Sequence, residues 1–158
     1  MNLEQIRKYI LSGKPIEEIV EKFDWQEFEQ LVAKIHEDNN FLVKQNFRFK
    51  TSRRFEIDVV AVKNNFILCA DCKEWSRGRY KRSGLVGAVK KQEERVKQLG
   101  NFLKANLLAR KSLKLGSNYK IYPSIVTWLQ EDLIKENETF VIPVWKLNSF
   151  LVDVYSYM

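Results

Sequence analysis

Two aspartates and a lysine sit inside or at the end of apolar runs, where charge is out of place. Asp58 lies within Phe55-Glu-Ile-Asp-Val-Val-Ala-Val62, and Asp71-Cys-Lys73 closes the run Phe66-Ile-Leu-Cys-Ala70. Carboxylate oxygens suit a hard divalent cation such as Mg²⁺, which takes one or two carboxylates and fills its other positions with water and substrate oxygens. A cation so held can polarise a phosphodiester and generate hydroxide from water, while a nearby ammonium positions that water or stabilises developing charge. Residues two apart on a strand share a face, so Asp71 and Lys73 project together, and Glu56 is expected on the face of Asp58. Asn64-Asn65 signals a hairpin turn between the two runs, and cross-strand neighbours in a hairpin lie within a few ångströms. Near-continuous apolar runs mark strands buried on both faces, where a charge is costly unless paired or metal-bound. The local pattern alone fits equally an Asp–Lys ion pair at a strand end, or an aspartate capping the loop after it.

Cys69 and Cys72 form a CxxC, which raises a redox or zinc reading. Redox pairs sit at helix N-termini, whereas this pair closes a strand, where an offset of three puts the side chains on opposite faces. A tetrahedral zinc site needs further Cys or His ligands, and His36 is the single histidine. Two core cysteines is the better reading.

Several elements must hold these groups. Residues 1–23 read as a helical extension, two short helices around Ser12-Gly-Lys-Pro15 that pack on a single domain spanning residues 24–158. Asp24 and Glu27 form a capping box for a helix with the stripe Phe28, Leu31, Val32 and Ile35. Phe41 to Phe49 alternates as a strand, followed by the hairpin. A helix is expected from about Leu85 to Leu108, strands at Tyr122–Leu129 and Thr139–Val144, and a last helix near Leu147–Val154. The order αα, αβββ, αββα gives an α/β fold around a mixed sheet.

The formal net charge is +7 and the pI about 9.4, a bias toward an anionic partner. The loop after the second strand of the hairpin carries Arg77, Arg79, Lys81 and Arg82, with Lys90 and Lys91 on the helix beyond it, and Arg53 and Arg54 precede the Asp58 strand. These cations are placed to hold phosphates beside the acids. Trp75 is expected to pack under the loop rather than stack on a base. No apolar run approaches the about 20 residues of a membrane span, and none reads as a signal peptide, so a cytoplasmic location is expected.

The arrangement resembles the PD-(D/E)xK nuclease superfamily, with Asp58 as its first acid and Asp71-Cys72-Lys73 as its (D/E)xK element. The likeness is nearest to Mrr-like restriction endonucleases and archaeal Holliday-junction resolvases. Trp25 to Ala33 resembles their first core helix, which puts Glu29 at the metal site, and Phe41 to Val43 resembles a strand start where Asn40 replaces the usual glycine. Ile57 stands in place of the proline, and the second acid is Asp rather than Glu. The likeness is good from Trp25 to Trp75, and looser through Ile125-Val-Thr-Trp128 and Val141-Ile-Pro-Val-Trp145. It implies a restriction-endonuclease-like αβββαβ core, with a mixed central sheet flanked by helices. It also implies a Mg²⁺-dependent DNA endonuclease (Mn²⁺ substituting) whose ligands are Asp58, Asp71, Glu29 and the Cys72 carbonyl, with Lys73 acting on the water. Gln92 falls where such enzymes carry a supporting polar residue; the other reading is a solvent-facing glutamine. A non-cleaving or partner-dependent nucleic-acid-binding protein and an RNA-processing nuclease are the alternatives, and a homodimer is the default assembly.

Overall fold

A computed structural model describes residues 3–12, 24–73, 82–128 and 133–158. The second helix expected in the N-terminal extension and most of the basic loop, with Trp75, lie outside the described residues. Helix α1 (Leu3–Leu11) buries Ile6 against the domain, and Arg7 pairs with Glu4 and with Asp38 of α2 (Trp25–Asp38). The capping box opens α2: Glu27 N donates to Asp24 Oδ1 at 2.8 Å and Asp24 N to Glu27 Oε2 at 3.3 Å. Phe28, Leu31, Val32 and Ile35 are buried as expected. Asn40, in the place of a glycine, takes the left-handed conformation with φ 67°, one that asparagine tolerates better than most side chains.

Strands β1 (Leu42–Lys50), β2 (Arg54–Lys63) and β3 (Phe66–Lys73) form an antiparallel meander. Helix α3 (Arg82–Ala105) then crosses over so that β4 (Lys120–Thr127) runs parallel to β3. Strand β6 (Thr139–Pro143) runs parallel to β4, giving the sheet order β1-β2-β3-β4-β6-β5. The short β5 (Ile134–Glu136) is antiparallel to β6 and was not expected; its three residues are too few for a periodicity to register. The expected single helix from Leu85 to Leu108 divides, because Asn106 accepts from Ala109 N and starts α4 (Leu107–Ser112). Helix α5 (Val144–Val152) begins directly from Pro143, earlier than its apolar spacing suggested, and a 3-10 turn follows at Val154–Tyr157.

The sheet is covered on both faces. Helices α1, α2 and α5 close one core around Phe28, Leu31, Val59, Leu68 and Phe150. Helix α3 closes the other around Ile57, Val60, Ile67 and Leu99, with a smaller cluster around Leu85, Ile125 and Val141. Cys69 faces the α3 core and Cys72 the α2 core, so the CxxC is split between the two faces and both thiols are free and buried.

Two facing strands swap sides at one position. Along β2, Phe55, Ile57, Val60 and Val62 pack toward α3 while Val59 and Ala61 pack toward α2, so the alternation breaks between Ile57 and Val59. The β1–β2 register runs through this point without an extra residue, from Gln45↔Val59 to Phe47↔Ile57. Opposite the break stands Asn46, with φ 49°. The residue at the break on β2 is Asp58.

Candidate metal centre

Asp58 sits where the alternation of β2 breaks, and the ladder to β3 ends beside it. The last β2–β3 pair is Val59↔Ala70. One step further would set Asp58 opposite Asp71, but there the Asp58 carboxylate itself takes up the pairing, accepting from Cys72 N–H at 2.9 Å. The face swap also corrects the expectation for Glu56, which does not join Asp58. It is exposed and accepts from Arg48 Nε at 2.7 Å.

Asp71 and Lys73 share the α3 side at the end of β3, and Lys73 Nζ lies 3.2 Å from Asp71 Oδ2. That contact is an ion pair whose angle falls outside a hydrogen bond. Asp71 is 7% exposed, and its Oδ2 has no hydrogen-bond partner among the described residues. Thr127, the neighbour of Lys73 on β4, is fully buried with an equally unpartnered hydroxyl. Two buried polar atoms on neighbouring strand ends that lack hydrogen bonds among the described residues are a cost that a bound cation or water would lower.

Burial pushes the Asp58 carboxyl up to about 7, the charges of Asp71 and Glu29 adding to it and the Cys72 N–H opposing. Glu29 on α2 is also raised, by burial first and then by Glu56 and Asp71, against a hydrogen bond from Trp25. It is near enough to feel the acids, yet among the described residues no three His, Cys, Asp or Glu groups converge as a ready-made cage. Asp58 and Asp71 are therefore the two carboxylates brought together here, with Glu29 at their margin. That donor set, with a buried orphan oxygen, fits Mg²⁺ or Mn²⁺, which keep several waters, and does not fit a tetrahedral zinc site. Burial holds the Cys72 thiol well above its ordinary range and it packs in the α2 core, so only its backbone is on offer.

Gln92 is fully buried and its Nε2 donates to the Cys69 carbonyl at 2.9 Å, which excludes the solvent-facing alternative. Its Oε1 accepts from Arg95 at 3.1 Å, and Arg95 reaches within 3.6 Å of Asp71 Oδ1. Sequence reasoning missed Arg95 and Thr127. The spacing of Gln92 and Arg95 is the signal that could have found the first; nothing local marks the second.

Arg53 and Arg54 from the β1–β2 connection and Lys90 and Lys91 from α3 come together. With Arg95, Phe55, Glu56 and Glu94 they line a cleft of about 480 Å³ beside the acids. The Arg53 guanidinium lies over the Phe55 ring at 4.5 Å. Arg77, Arg79 and Lys81 lie outside the described residues, as does the side chain of Arg82, which opens α3. A larger cavity of about 830 Å³ opens at the other end of the sheet, by the Asn64–Asn65 turn, and among the described residues no aspartate or glutamate lines it.

Among the described residues no helix is long and apolar enough to cross a membrane. Residues 24–128 match the nuclease-related domain (NERD) family. An uncharacterised protein of Archaeoglobus fulgidus is 30% identical over 135 residues, which cover 85% of this chain and 94% of that protein. Among solved structures, the small subunit of a heterodimeric restriction endonuclease aligns with a TM-score of 0.52 at 13% identity, covering 98% of this chain and 79% of that one. With the mixed sheet, Asp58 at the break in β2 and Asp71 and Lys73 at the end of β3, the chain belongs to the nuclease-related domain family and carries the PD-(D/E)xK, restriction-endonuclease-like fold.

Proposed function

We propose that the protein is a metal-dependent DNA endonuclease that hydrolyses phosphodiester bonds by direct attack of water at phosphorus. The observation that carries this is the buried Asp71 carboxylate beside Asp58, its Oδ2 ion-paired to Lys73 but without a hydrogen-bond partner among the described residues, next to a basic cleft. Asp58, Asp71 and the Cys72 carbonyl, with Glu29 in support, would hold Mg²⁺ or Mn²⁺, which supplies Lewis acidity and a water of lowered pKa when bound. Lys73 orients the attacking water and offsets charge developing on the phosphate. Arg53, Arg54, Lys90 and Lys91 bind flanking phosphates, joined by Arg77, Arg79, Lys81 and Arg82 from the basic loop. Gln92 locks α3 onto β3 and so fixes the distance between the cleft and the acids.

The test is purified protein with Mg²⁺ or Mn²⁺ on linear, supercoiled and branched DNA and on structured RNA, beside Asp58→Ala and Lys73→Ala. Cleavage of DNA lost in both variants supports the reading. Binding without cleavage on every substrate sinks it, and cleavage retained in both variants places the site elsewhere. Cleavage of RNA alone makes the protein an RNA-processing nuclease.

A second reading rests on the structural neighbour, one subunit of a heterodimeric enzyme. In that reading this chain cuts one strand and needs a second subunit, a copy of itself or another protein, for double-strand breaks. Nicked circles from supercoiled DNA at protein concentrations where the chain is monomeric, with linear product only after association, are the expected signature.

A further inference from the structure

Arg95 stands between the acids and the cleft, and its contacts on the two sides differ in kind. Gln92 is the pivot. Its amide is held by the Cys69 carbonyl, so Oε1 is the atom presented to Arg95, at 3.1 Å. On the acidic side the guanidinium comes within 3.6 Å of Asp71 Oδ1, an ion pair longer than a hydrogen bond. On the other side Arg95 lines the cleft with Lys90, Lys91, Arg53 and Arg54. A guanidinium has five donors in a fork that matches two phosphate oxygens, and the contacts to Gln92 and Asp71 do not use all of them.

We infer that Arg95 is an exchange group. It neutralises Asp71 while the centre is free of metal, and turns on Gln92 to hold a substrate phosphate when a divalent cation takes Asp71. The inference rests on the nucleic-acid-cleaving reading for its ligand. Its physical basis is like-charge repulsion: a cation bound at Asp71 would stand beside a guanidinium that now neutralises nothing, so the guanidinium is favoured in the cleft, where an anion compensates it. Metal and nucleic acid then bind with positive coupling, because each makes room for the other. Lys73, closer to Asp71 at 3.2 Å and on the strand itself, has no such pivot and stays at the centre.

The test uses binding, so it does not depend on turnover. Mn²⁺ is titrated calorimetrically without nucleic acid, and affinity for a duplex oligonucleotide is measured with Ca²⁺ present. Arg95→Ala is expected to bind Mn²⁺ severalfold more tightly and the duplex about tenfold more weakly. Arg95→Lys keeps the charge and loses the fork, so its Mn²⁺ affinity stays near wild type while its duplex affinity falls part of the way. These opposite signs are not what loss of a merely structural contact gives. Arg95→Ala weakening both, or leaving either unchanged, overturns the exchange. Wild type that binds Mn²⁺ and duplex, with the opposite shifts in Arg95→Ala, but cuts no substrate sinks the nuclease reading and leaves the exchange standing.

Discussion

The Asp58 carboxylate completes the β2–β3 ladder by accepting from the Cys72 N–H at 2.9 Å, one step beyond the last backbone pair, Val59↔Ala70. One group thus ends the pairing of two strands and brings its charge beside Asp71.

That position is costly without metal. Burial raises the Asp58 carboxyl to about 7, so between its ordinary value near 4 and about 7 the folded chain binds a proton that the unfolded chain has lost. Metal-free stability is then fullest at low pH as far as this group is concerned, and falls as pH rises toward 7. Asp58→Asn keeps an oxygen for the Cys72 N–H and removes the charge. Its thermal midpoint at pH 8 in chelator should exceed wild type by the equivalent of about 1–2 kcal/mol, discounted for the part of the group that water reaches. Saturating Mg²⁺ should narrow or reverse the gap by stabilising wild type alone. A variant less stable than wild type in chelator at every pH contradicts this.

His36 acts over almost the same pH range with the opposite sign. It is fully buried, its Nδ1 lies 2.8 Å from the Val32 carbonyl, and burial lowers its pKa to about 4. Only an Nδ1–H satisfies that carbonyl, which fixes the tautomer, and burial keeps the ring neutral in the fold above about 4. The unfolded chain takes up a proton below about 6.5 and the folded chain does not, so stability falls as pH drops from 6.5 toward 4, by up to about 3 kcal/mol. Denaturant midpoints of His36→Gln against pH should lose most of this slope; an unchanged slope assigns the acid sensitivity elsewhere.

Gln92 joins two elements through its amide. Gln92→Leu leaves the Cys69 carbonyl to Ser124, which still donates to it at 3.1 Å, so its folding cost should stay at about 1–2 kcal/mol by chemical denaturation. DNA binding should fall further than that cost explains, because Arg95 loses its pivot. Wild-type binding in Gln92→Leu would show that the amide serves the fold alone.

Thr127→Val removes a buried hydroxyl that has no partner among the described residues and preserves its shape. Metal-free stability should hold or rise by about 1 kcal/mol, while cleavage slows by about tenfold if the hydroxyl holds water or substrate at the centre. A variant that is less stable and fully active would reverse both signs.

What could be read in advance was what depends on spacing of a few residues. The capping box at Asp24 and Glu27, the Asn64–Asn65 turn, the shared face of Asp71 and Lys73 and the opposite faces of Cys69 and Cys72 all come from local periods of two or 3.6. The face swap at Asp58 needed its partner strand, because it depends on the left-handed Asn46 across the ladder. Arg95 and the burial of Gln92 depend on how α3 lies over β3, which no local pattern encodes. Strand β5 is held partly from outside: Glu93 of α3 accepts from Asn137 Nδ2, Glu138 N and Thr139 Oγ1 around its turn.

The swap at Asn46 and Asp58 also bears on how such a chain can diverge. Every neighbour of Asp58 along β2 from Ile57 to Val62 is buried in one core or the other, whereas Asp58 commits its carboxylate to the Cys72 N–H. Selection on the scaffold and selection on the acid therefore meet in one hydrogen bond, which an asparagine oxygen can also accept. A descendant with Asp58→Asn would keep both cores, that hydrogen bond and the cation-lined cleft while losing one of the two neighbouring carboxylates.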